Sequence, residues 1–226
     1  MGSLLPFVPI NVLNENRKTY KKSTTGFTRD GRPVAHSADP IPPHELPRIK
    51  EYFLNGKNRY GLRNWTLLLL GINIGMRCGD LTRLRVGQVW DGKEVKTDVE
   101  YYAEKTRSWE KFYIRDDLKN DIKKYVLSLK NQSSGAFLFP SERADHMKTN
   151  TVYQVFKKAS NDLGLNFHFS THSMRQTLGN MANDLHGLEA ARLALRHRDY
   201  KSTMHYIKSG EARTKSIMLS LPTIKC

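Results

Sequence analysis

His172 and Arg175 stand three residues apart, just behind the pair Ser170 and Thr171, which is typical of a helix start. Three residues is nearly one helical turn, so the two side chains should share a face and could grip one small anion together. The N–H groups and the positive dipole end of a helix start would assist them, and the set predicts a phosphate site. Such spacing is common, and a capped histidine on an ordinary surface helix is the alternative.

Four further residues could complete such a site. Arg77 lies in the stretch GMRCGDL, where a glycine ends an apolar run and a tight turn leads into a short helix. Lys105 lies between two strand-like runs, VEYYAE and WEKFYIR. His197 follows Arg175 by 22 residues, and Tyr206 follows His197 by nine.

In order, spacing and structural context these motifs resemble the tyrosine recombinase, or phage integrase, family over residues 42–208. In that family an arginine lies in a stretch like G-[LM]-R-x-x-[ED]-L, which residues 75–81 match. A lysine near a hairpin tip is matched by Lys105, and an HxxR helix start by residues 172–175. A second histidine followed by about nine residues and a nucleophilic tyrosine is matched by residues 197–206.

The chain departs from the family pattern in two places. Arg196 stands where a glycine usually precedes the second histidine, and Cys78 and Gly79 stand where small polar residues are common. Neither departure removes a reacting group. Family members also usually carry an N-terminal helical DNA-binding domain, which residues 1–39 are too few to hold, so a catalytic fragment or an unusually small member is expected.

The resemblance implies a metal-independent transesterification on DNA with a 3′-phosphotyrosyl intermediate and no cofactor. Tyr206 would attack the phosphorus. Arg77 and Arg175 would stabilise the charge on the non-bridging oxygens. Lys105 would act as general acid on the leaving 5′-oxygen.

The resemblance also implies supporting roles for three residues. His197 would hydrogen-bond the phosphate, and His172 would add a donor and help to take the tyrosine proton. Asp80, one turn after Arg77, would hold that cation in place without reacting. The alternative for Asp80 is an ordinary first-turn acid that favours the helix dipole.

Other residues compete for two of these roles. Tyr200 is a second candidate nucleophile, although the spacing from the second histidine favours Tyr206. Lys111 and Arg107 compete with Lys105 as the general acid, and an exposed hairpin lysine without a catalytic role is the further alternative.

The histidines do not form a familiar metal site. His168 and His172 are four residues apart, and His197 and His205 are eight residues apart. No acidic or cysteine ligand lies at a familiar spacing from either pair, so no metal is predicted.

The charge of the chain indicates its partner. Lysine and arginine number 37 against 22 acids, a formal net charge of +15, which predicts a polyanion. The apolar run at residues 65–74 is too short to span a bilayer, and no long basic amphipathic helix is evident, so nucleic acid is favoured over a membrane, and the resemblance implies double-stranded DNA. The candidate phosphate contacts, which could instead be solvated surface charge, are Arg17, Lys18, Lys21, Lys22, Arg29, Arg32, Lys148, Lys157 and Lys158.

The pattern of apolar residues predicts a mainly α fold with a small three-stranded antiparallel β-sheet inserted near the middle, an α+β arrangement. Asp91 and Gly92, between the two short apolar runs of VGQVWDGKEV, predict a hairpin, and the runs VEYYAE and WEKFYIR complete the sheet. Helical spacing predicts helices at about residues 46–53, 62–74, 118–129, 152–159, 174–185, 188–196 and 201–208.

Three regions are predicted along the chain. Residues 1–39 are basic and rich in turn formers, and we interpret them as an extended arm or linker. Residues 40–208 form the catalytic domain. Residues 209–226 form a C-terminal tail with apolar residues, which would pack on a neighbouring subunit, as in the family, or on its own domain.

The expected function is that of an intracellular site-specific recombinase of integrase or excisionase type, serving a mobile element. It would act as a homotetramer on two duplexes and could be a monomer without DNA. The alternatives are a chromosome-dimer resolvase, a type IB topoisomerase-like enzyme, or a catalytically silent DNA-binding protein of the same fold.

Overall fold

A computed structural model describes residues 38–204, 206 and 207 of the chain. It begins with a 3₁₀ turn at Pro43–Glu45, helix α1 at Leu46–Leu54 and helix α2 at Gly61–Ile74. Helix α1 buries one face, whereas α2 is apolar around most of its circumference and is buried on nearly all sides. The run of leucines in α2 thus makes it the central helix of the core.

Two short helices and a hairpin follow. Helix α3 covers Cys78–Thr82 and helix α4 covers Val86–Val89. Strands β1, Asp98–Ala103, and β2, Ser108–Tyr113, pair antiparallel. Buried and exposed residues alternate along β1, which places one face of the hairpin on the core.

The sheet of the described region has two strands, and the predicted third strand is not formed there. The chain does turn at Asp91 and Gly92: the Asp91 carboxylate accepts two backbone N–H groups of the turn, and Gly92 has φ 106°. Across this turn only Trp90 and Val95 form a bridge. The preceding residues wind into α4 because Gln88 caps that helix by accepting the backbone N–H three residues earlier.

The remaining regular elements of the described chain are helices, as predicted. Helix α5 covers Asp116–Ser128, α6 covers Thr149–Leu163, α7 covers Ser173–Ala194 and α8 covers Tyr200–Met204. Gly187, with φ 84° and ψ 178°, breaks the helical path inside α7 where the sequence predicts one helix to end and another to begin. None of these described helices has the length and apolar composition needed to cross a membrane.

Helices α2 and α7 pack closely and carry the first and last parts of the candidate site. A Cβ on Gly71 would lie 2.1 Å from Sδ of Met174, so the absence of a side chain on Gly71 permits this approach. Gly75 then ends α2 in the left-handed conformation, with φ 62°. The chain leaves α2 there and reaches Arg77, the residue that begins α3.

We expect Gly75→Ala to lower the free energy of unfolding more than Gly164→Ala does. Both glycines have φ 62° and close a helix, so each alanine incurs a left-handed penalty of about 1–2 kcal/mol. At Gly75 the new Cβ would also lie 2.5 Å from Cδ2 of Leu178, whereas nothing lies within 4 Å at Gly164. Displacing Leu178 should add about 1 kcal/mol.

Chemical denaturation of the two variants and the wild type measures this difference. An equal decrease in the free energy of unfolding of the two variants would contradict the prediction, since it would mean that the end of α2 has room for a side chain.

Candidate active site

Arg77 occupies the N-cap position of α3 and is half-buried. Its backbone is extended, with φ −66° and ψ 141°, because the preceding turn at Gly75 has already ended α2. Burial is the main cause that lowers the pKa of Arg175 and of His197, and the positive charge of Arg77 lowers both further. These three side chains therefore share one electrostatic environment, although they come from distant parts of the sequence.

Arg175 is deeply enclosed, with 3% of its surface exposed. Its guanidinium donates to the carbonyl of Gly75, and at 2.9 Å to the carbonyl of Leu195. Both acceptors are C-cap residues, of α2 and α7 respectively, so the negative ends of two helix dipoles meet at the guanidinium.

The charge of Arg175 is held by dipoles and is not neutralised. Within the described part of the chain, no carboxylate forms an ion pair with Arg175. Its Nε has no hydrogen-bond partner among those residues. Burial lowers the pKa of Arg175, yet a guanidinium stays protonated in proteins. The result is a buried net positive charge.

His197 is fixed by a hydrogen bond at each ring nitrogen. Its Nε2 lies 2.8 Å from Nη2 of Arg175, and its Nδ1 lies 3.2 Å from Oγ1 of Thr203. A guanidinium can only donate, so Nε2 accepts and Nδ1 carries the hydrogen. Burial, and then the charges of Arg175 and Arg77, lower the pKa of His197 to about 4. The ring is therefore neutral at pH 7.

Tyr206 lies among these groups. Its ring centroid is 5.1 Å from that of His197 and 6.4 Å from that of His172. Cζ of Arg175 lies 5.3 Å from the same centroid. The backbone carbonyl of Tyr206 accepts a hydrogen bond from Nδ2 of Asn180 in α7 at 2.7 Å. The candidate nucleophile is thus held beside the cations of its own chain.

The start of α7 differs from the prediction. The N-cap residue is His172 itself, one position after the predicted cap at Ser170 and Thr171, and no side chain caps the helix there. The hydroxyl of Ser173 instead accepts the backbone N–H of Ser170 at 3.0 Å and donates to the carbonyl of His168 at 3.2 Å.

His172 and Arg175 both lie near Tyr206 but differ in how deeply they are buried. His172 is exposed at the helix start, whereas Arg175 is buried. Partial loss of solvation, and then the charges of Arg175 and Lys105, lower the pKa of His172. The charge of Lys105 also lowers the pKa of His197, so Lys105 belongs to the same electrostatic environment.

Lys105 projects from the exposed turn between β1 and β2. The turn is braced from within the hairpin by Glu110, whose carboxylate accepts the hydroxyl of Tyr101 at 2.6 Å and that of Thr106 at 2.8 Å. Ser108 donates to the Thr106 hydroxyl at 3.1 Å. This network shapes the loop on which Lys105 is carried.

Asp80 contacts the hairpin turn. Its Oδ1 accepts the backbone N–H of Glu104 at 3.3 Å, one residue before Lys105. Burial raises the pKa of Asp80, while this hydrogen bond and then the charge of Arg77 oppose the rise. Its Oδ2 has no hydrogen-bond partner in the described residues. The orienting role toward Arg77 stays a prediction, and the observed contact ties α3 to the turn.

The predicted phosphate contacts are only partly within the described residues. Lys148, Lys157 and Lys158 are exposed at or on α6, and Lys158 pairs with Asp162 at 2.7 Å. The tail at residues 209–226 lies outside the described region, as do the predicted contacts Arg17, Lys18, Lys21, Lys22, Arg29 and Arg32.

The histidine pairs considered as metal ligands do not gain further ligands in the described residues. No group of three or more histidine, cysteine, aspartate or glutamate side chains there could hold a metal ion. His205 itself lies outside the described residues.

Several residues that hold the candidate site in place could not be predicted from residue type or spacing. Thr203 fixes the tautomer of His197, and Asn180 holds the backbone of Tyr206. The carbonyls of Gly75 and Leu195 hold Arg175. Neither a threonine near a histidine nor a backbone carbonyl can be distinguished from its neighbours by residue type or spacing.

The lowered pKa of His197 predicts a pH-dependent stability. Between the ordinary histidine pKa of about 6.5 and the folded value, the unfolded chain binds a proton that the folded chain does not. The free energy of unfolding should therefore fall as the pH is lowered from about 7 to about 5. His197→Asn should flatten this dependence, because asparagine does not titrate.

Denaturant titrations at several pH values test this prediction, with His186→Asn on the exposed side of α7 as a control for the loss of one imidazole. An unchanged slope in His197→Asn would mean that His197 is not the group that resists protonation.

Comparisons with known proteins agree with this geometry. The phage integrase family matches residues 41–213, whereas none of the curated proteins matches the chain. Among solved structures, XerA recombinase has a TM-score of 0.67 at 16% identity over 84% of this chain and 68% of XerA. XerH recombinase, bound to a palindromic difH substrate in a post-cleavage complex, has a TM-score of 0.64 at 13% identity over 86% of this chain and 59% of XerH.

The Tn1549 transposon integrase, in complex with circular intermediate DNA, gives a TM-score of 0.59 at 14% identity over 82% of this chain and 68% of the integrase. At these identities the structures show a shared fold. The match to the family covers most of the sequence and all six candidate reacting groups. The resemblance predicted from the motifs is confirmed, and the chain belongs to the phage integrase family.

Proposed function

We propose that this protein is a site-specific DNA recombinase that cuts and rejoins DNA through a 3′-phosphotyrosyl intermediate. The observation that carries the proposal is the buried guanidinium of Arg175, without a carboxylate partner in the described residues, 5.3 Å from the ring centroid of Tyr206. An uncompensated buried charge is costly. A phosphate diester that enters beside Tyr206 would compensate it and would lie next to a nucleophile.

The proposed cleavage exchanges one phosphate ester for another. The Tyr206 oxygen forms a bond to phosphorus as the bond between phosphorus and the 5′-oxygen breaks. Charge builds up on the non-bridging oxygens, where Arg77 and Arg175 supply fixed donors. The lowered pKa of His172 keeps its imidazole neutral at pH 7, so it can take the phenol proton. Attack by a 5′-hydroxyl on the tyrosyl ester reverses these steps and rejoins a strand.

The leaving 5′-oxygen needs a proton, and Lys105 is the proposed donor. This assignment is supported by the charge of Lys105, which contributes to the lowered pKa of both site histidines. The competing Lys111 pairs with Glu100 at 3.5 Å along the strands. The competing Arg107 is a poor general acid, because a guanidinium hardly releases its proton.

Double-stranded DNA is the proposed partner. The formal charge of +15 supports it, and the similar XerH and Tn1549 proteins are described in complexes with DNA. Exposed lysines would add affinity without sequence choice. From the family, we propose assembly as a homotetramer on two duplexes and a monomer in the absence of DNA, inside the cell.

Strand exchange for a mobile element is the favoured role within this chemistry. A chromosome-dimer resolvase would use the same groups at a chromosomal site, and a type IB topoisomerase-like enzyme would use them to relax supercoils. Joining of two different duplexes distinguishes recombination from relaxation. A catalytically silent DNA-binding protein would have no use for the placement of Tyr206 beside Arg175.

Tyr206→Phe should abolish the covalent adduct between protein and DNA, because phenylalanine lacks the attacking oxygen. Protein is incubated with nicked duplexes that carry candidate element ends, denatured, and separated by electrophoresis. Tyr200→Phe is the matched control: Tyr200 is exposed and donates to Glu189 at 2.6 Å, and this variant should form the adduct at the wild-type rate.

An adduct formed by Tyr206→Phe would assign the nucleophile to another residue. If the wild type binds these duplexes in a salt-sensitive manner yet forms no adduct on any of them, the result would favour the catalytically silent alternative.

Lys105→Ala should slow cleavage of an ordinary linkage by about 10²–10⁴-fold, the usual contribution of a general acid. It should have a much smaller effect when sulfur replaces the 5′-oxygen, because a thiolate is a far better leaving group than an alkoxide. Lys111→Ala on the same hairpin is the control and should keep both rates. If Lys105→Ala slowed cleavage of both linkages by the same factor, Lys105 would not be the general acid.

A further inference from the structure

Arg196, which immediately precedes His197, has a left-handed backbone with φ 52°. In the described chain only Arg196 and Arg107 combine a positive φ with a side chain. This conformation is strained for a residue other than glycine. A glycine is the usual residue here in the family pattern, so an arginine at this position needs a compensating interaction.

The Arg196 side chain makes that interaction with two distant backbone carbonyls. Its Nε donates to the carbonyl of Lys111 in β2 at 3.0 Å, and its Nη1 donates to the carbonyl of Ile74 at the end of α2 at 3.0 Å. The last carbonyls of a helix have no partner within it. A rigid, planar guanidinium is well suited to joining two such acceptors.

The two carbonyls belong to the segments that carry other proposed catalytic groups. Ile74 lies three residues before Arg77, and Lys111 lies on the hairpin whose turn carries Lys105. Arg196 itself is bonded to His197. One half-buried side chain therefore connects three parts of the site.

Two other side-chain ties hold the turn of the hairpin to α3 and its C-cap residue, and one of them is the exposed ion pair between Arg83 and Glu104 at 3.1 Å. Asp80 of α3 accepts the backbone N–H of Glu104 at 3.3 Å, near the turn, while Arg196 holds the strand that follows the turn. The opposite edge of the hairpin is held by Gln88, which donates to the carbonyl of Glu100 at 2.8 Å. Removal of Arg196 should leave the hairpin in place but let it shift relative to α2.

We infer that Arg196 is a positioning residue that fixes the Lys105 hairpin relative to Arg77 and His197. The inference rests on the proposed function and assigns Arg196 no contact with DNA. Arg77 and His197 have anchors of their own, at the turn that ends α2 and at Thr203. Removal of Arg196 therefore acts on Lys105 through β2, because it breaks the tie between that strand and the end of α2.

The first test compares Arg196→Gly with the wild type on the ordinary and the sulfur-containing linkages. Glycine adopts φ 52° without strain, so this variant should fold. We expect cleavage of the ordinary linkage to slow by about tenfold or more, because small misplacement of a catalytic group has large effects on rate. The sulfur linkage, which does not need Lys105, should be cleaved within about threefold of the wild-type rate.

Arg196→Lys separates position from charge. Lysine keeps the positive charge but cannot reproduce the planar two-point contact, so it should also slow cleavage of the ordinary linkage selectively. Wild-type cleavage by Arg196→Lys, with slow cleavage by Arg196→Gly, would mean that only the charge matters and would overturn the inference. Equal slowing of both linkages in Arg196→Gly would also overturn it.

Amide hydrogen exchange provides a measurement that does not depend on catalysis. Residues 104–108 should exchange faster in Arg196→Gly, with helix α5 unchanged as an internal control. Unchanged exchange in the turn would overturn the inference. If the wild type forms no adduct, the proposed function fails, and the exchange measurement still decides whether Arg196 fixes the hairpin.

Discussion

The guanidinium of Arg175 is held between the C-terminal ends of α2 and α7, and the rest of the site is arranged around this contact. Helix-end carbonyls stabilise a buried cation through their dipoles but bring no net negative charge. A carboxylate in their place would also satisfy the guanidinium and would compete with an incoming phosphate. The observed arrangement therefore preserves a positive charge in the interior.

This contact requires α2 and α7 to meet closely. A Cβ on Gly71 would lie 2.1 Å from Sδ of Met174, and a Cβ on Gly179 would lie 2.8 Å from Cδ1 of Leu195. Gly71 thus allows α2 and α7 to approach each other, and Gly179 allows the part of α7 after the break at Gly187 to approach the part before it, so that both C-terminal ends reach the buried guanidinium. The close packing of the core and the electrostatics of the site have the same structural cause, so a side chain added at this interface would affect both.

The candidate reacting groups could be named from the sequence because a motif specifies residue types in a fixed order, and the longer helices could be predicted because apolar spacing follows the helical period. The predicted third strand is not formed in the described region. The chain does turn at Asp91, but the Gln88 cap turns the residues before it into a helix. The acceptors that hold Arg175 and Arg196 are backbone carbonyls, which every residue has. Only the tertiary fold determines which carbonyls come within reach.

The lowered pKa values of the two site histidines leave the arginines as the permanent charges of the site. Burial and neighbouring cations lower the pKa of both His172 and His197, so these rings are neutral near pH 7 and can accept protons or hydrogen bonds. Under the proposed function, a bound phosphate would oppose these shifts, because a nearby negative charge favours the protonated imidazole. Arg175 then holds the anion at any physiological pH, while the histidines respond to its arrival.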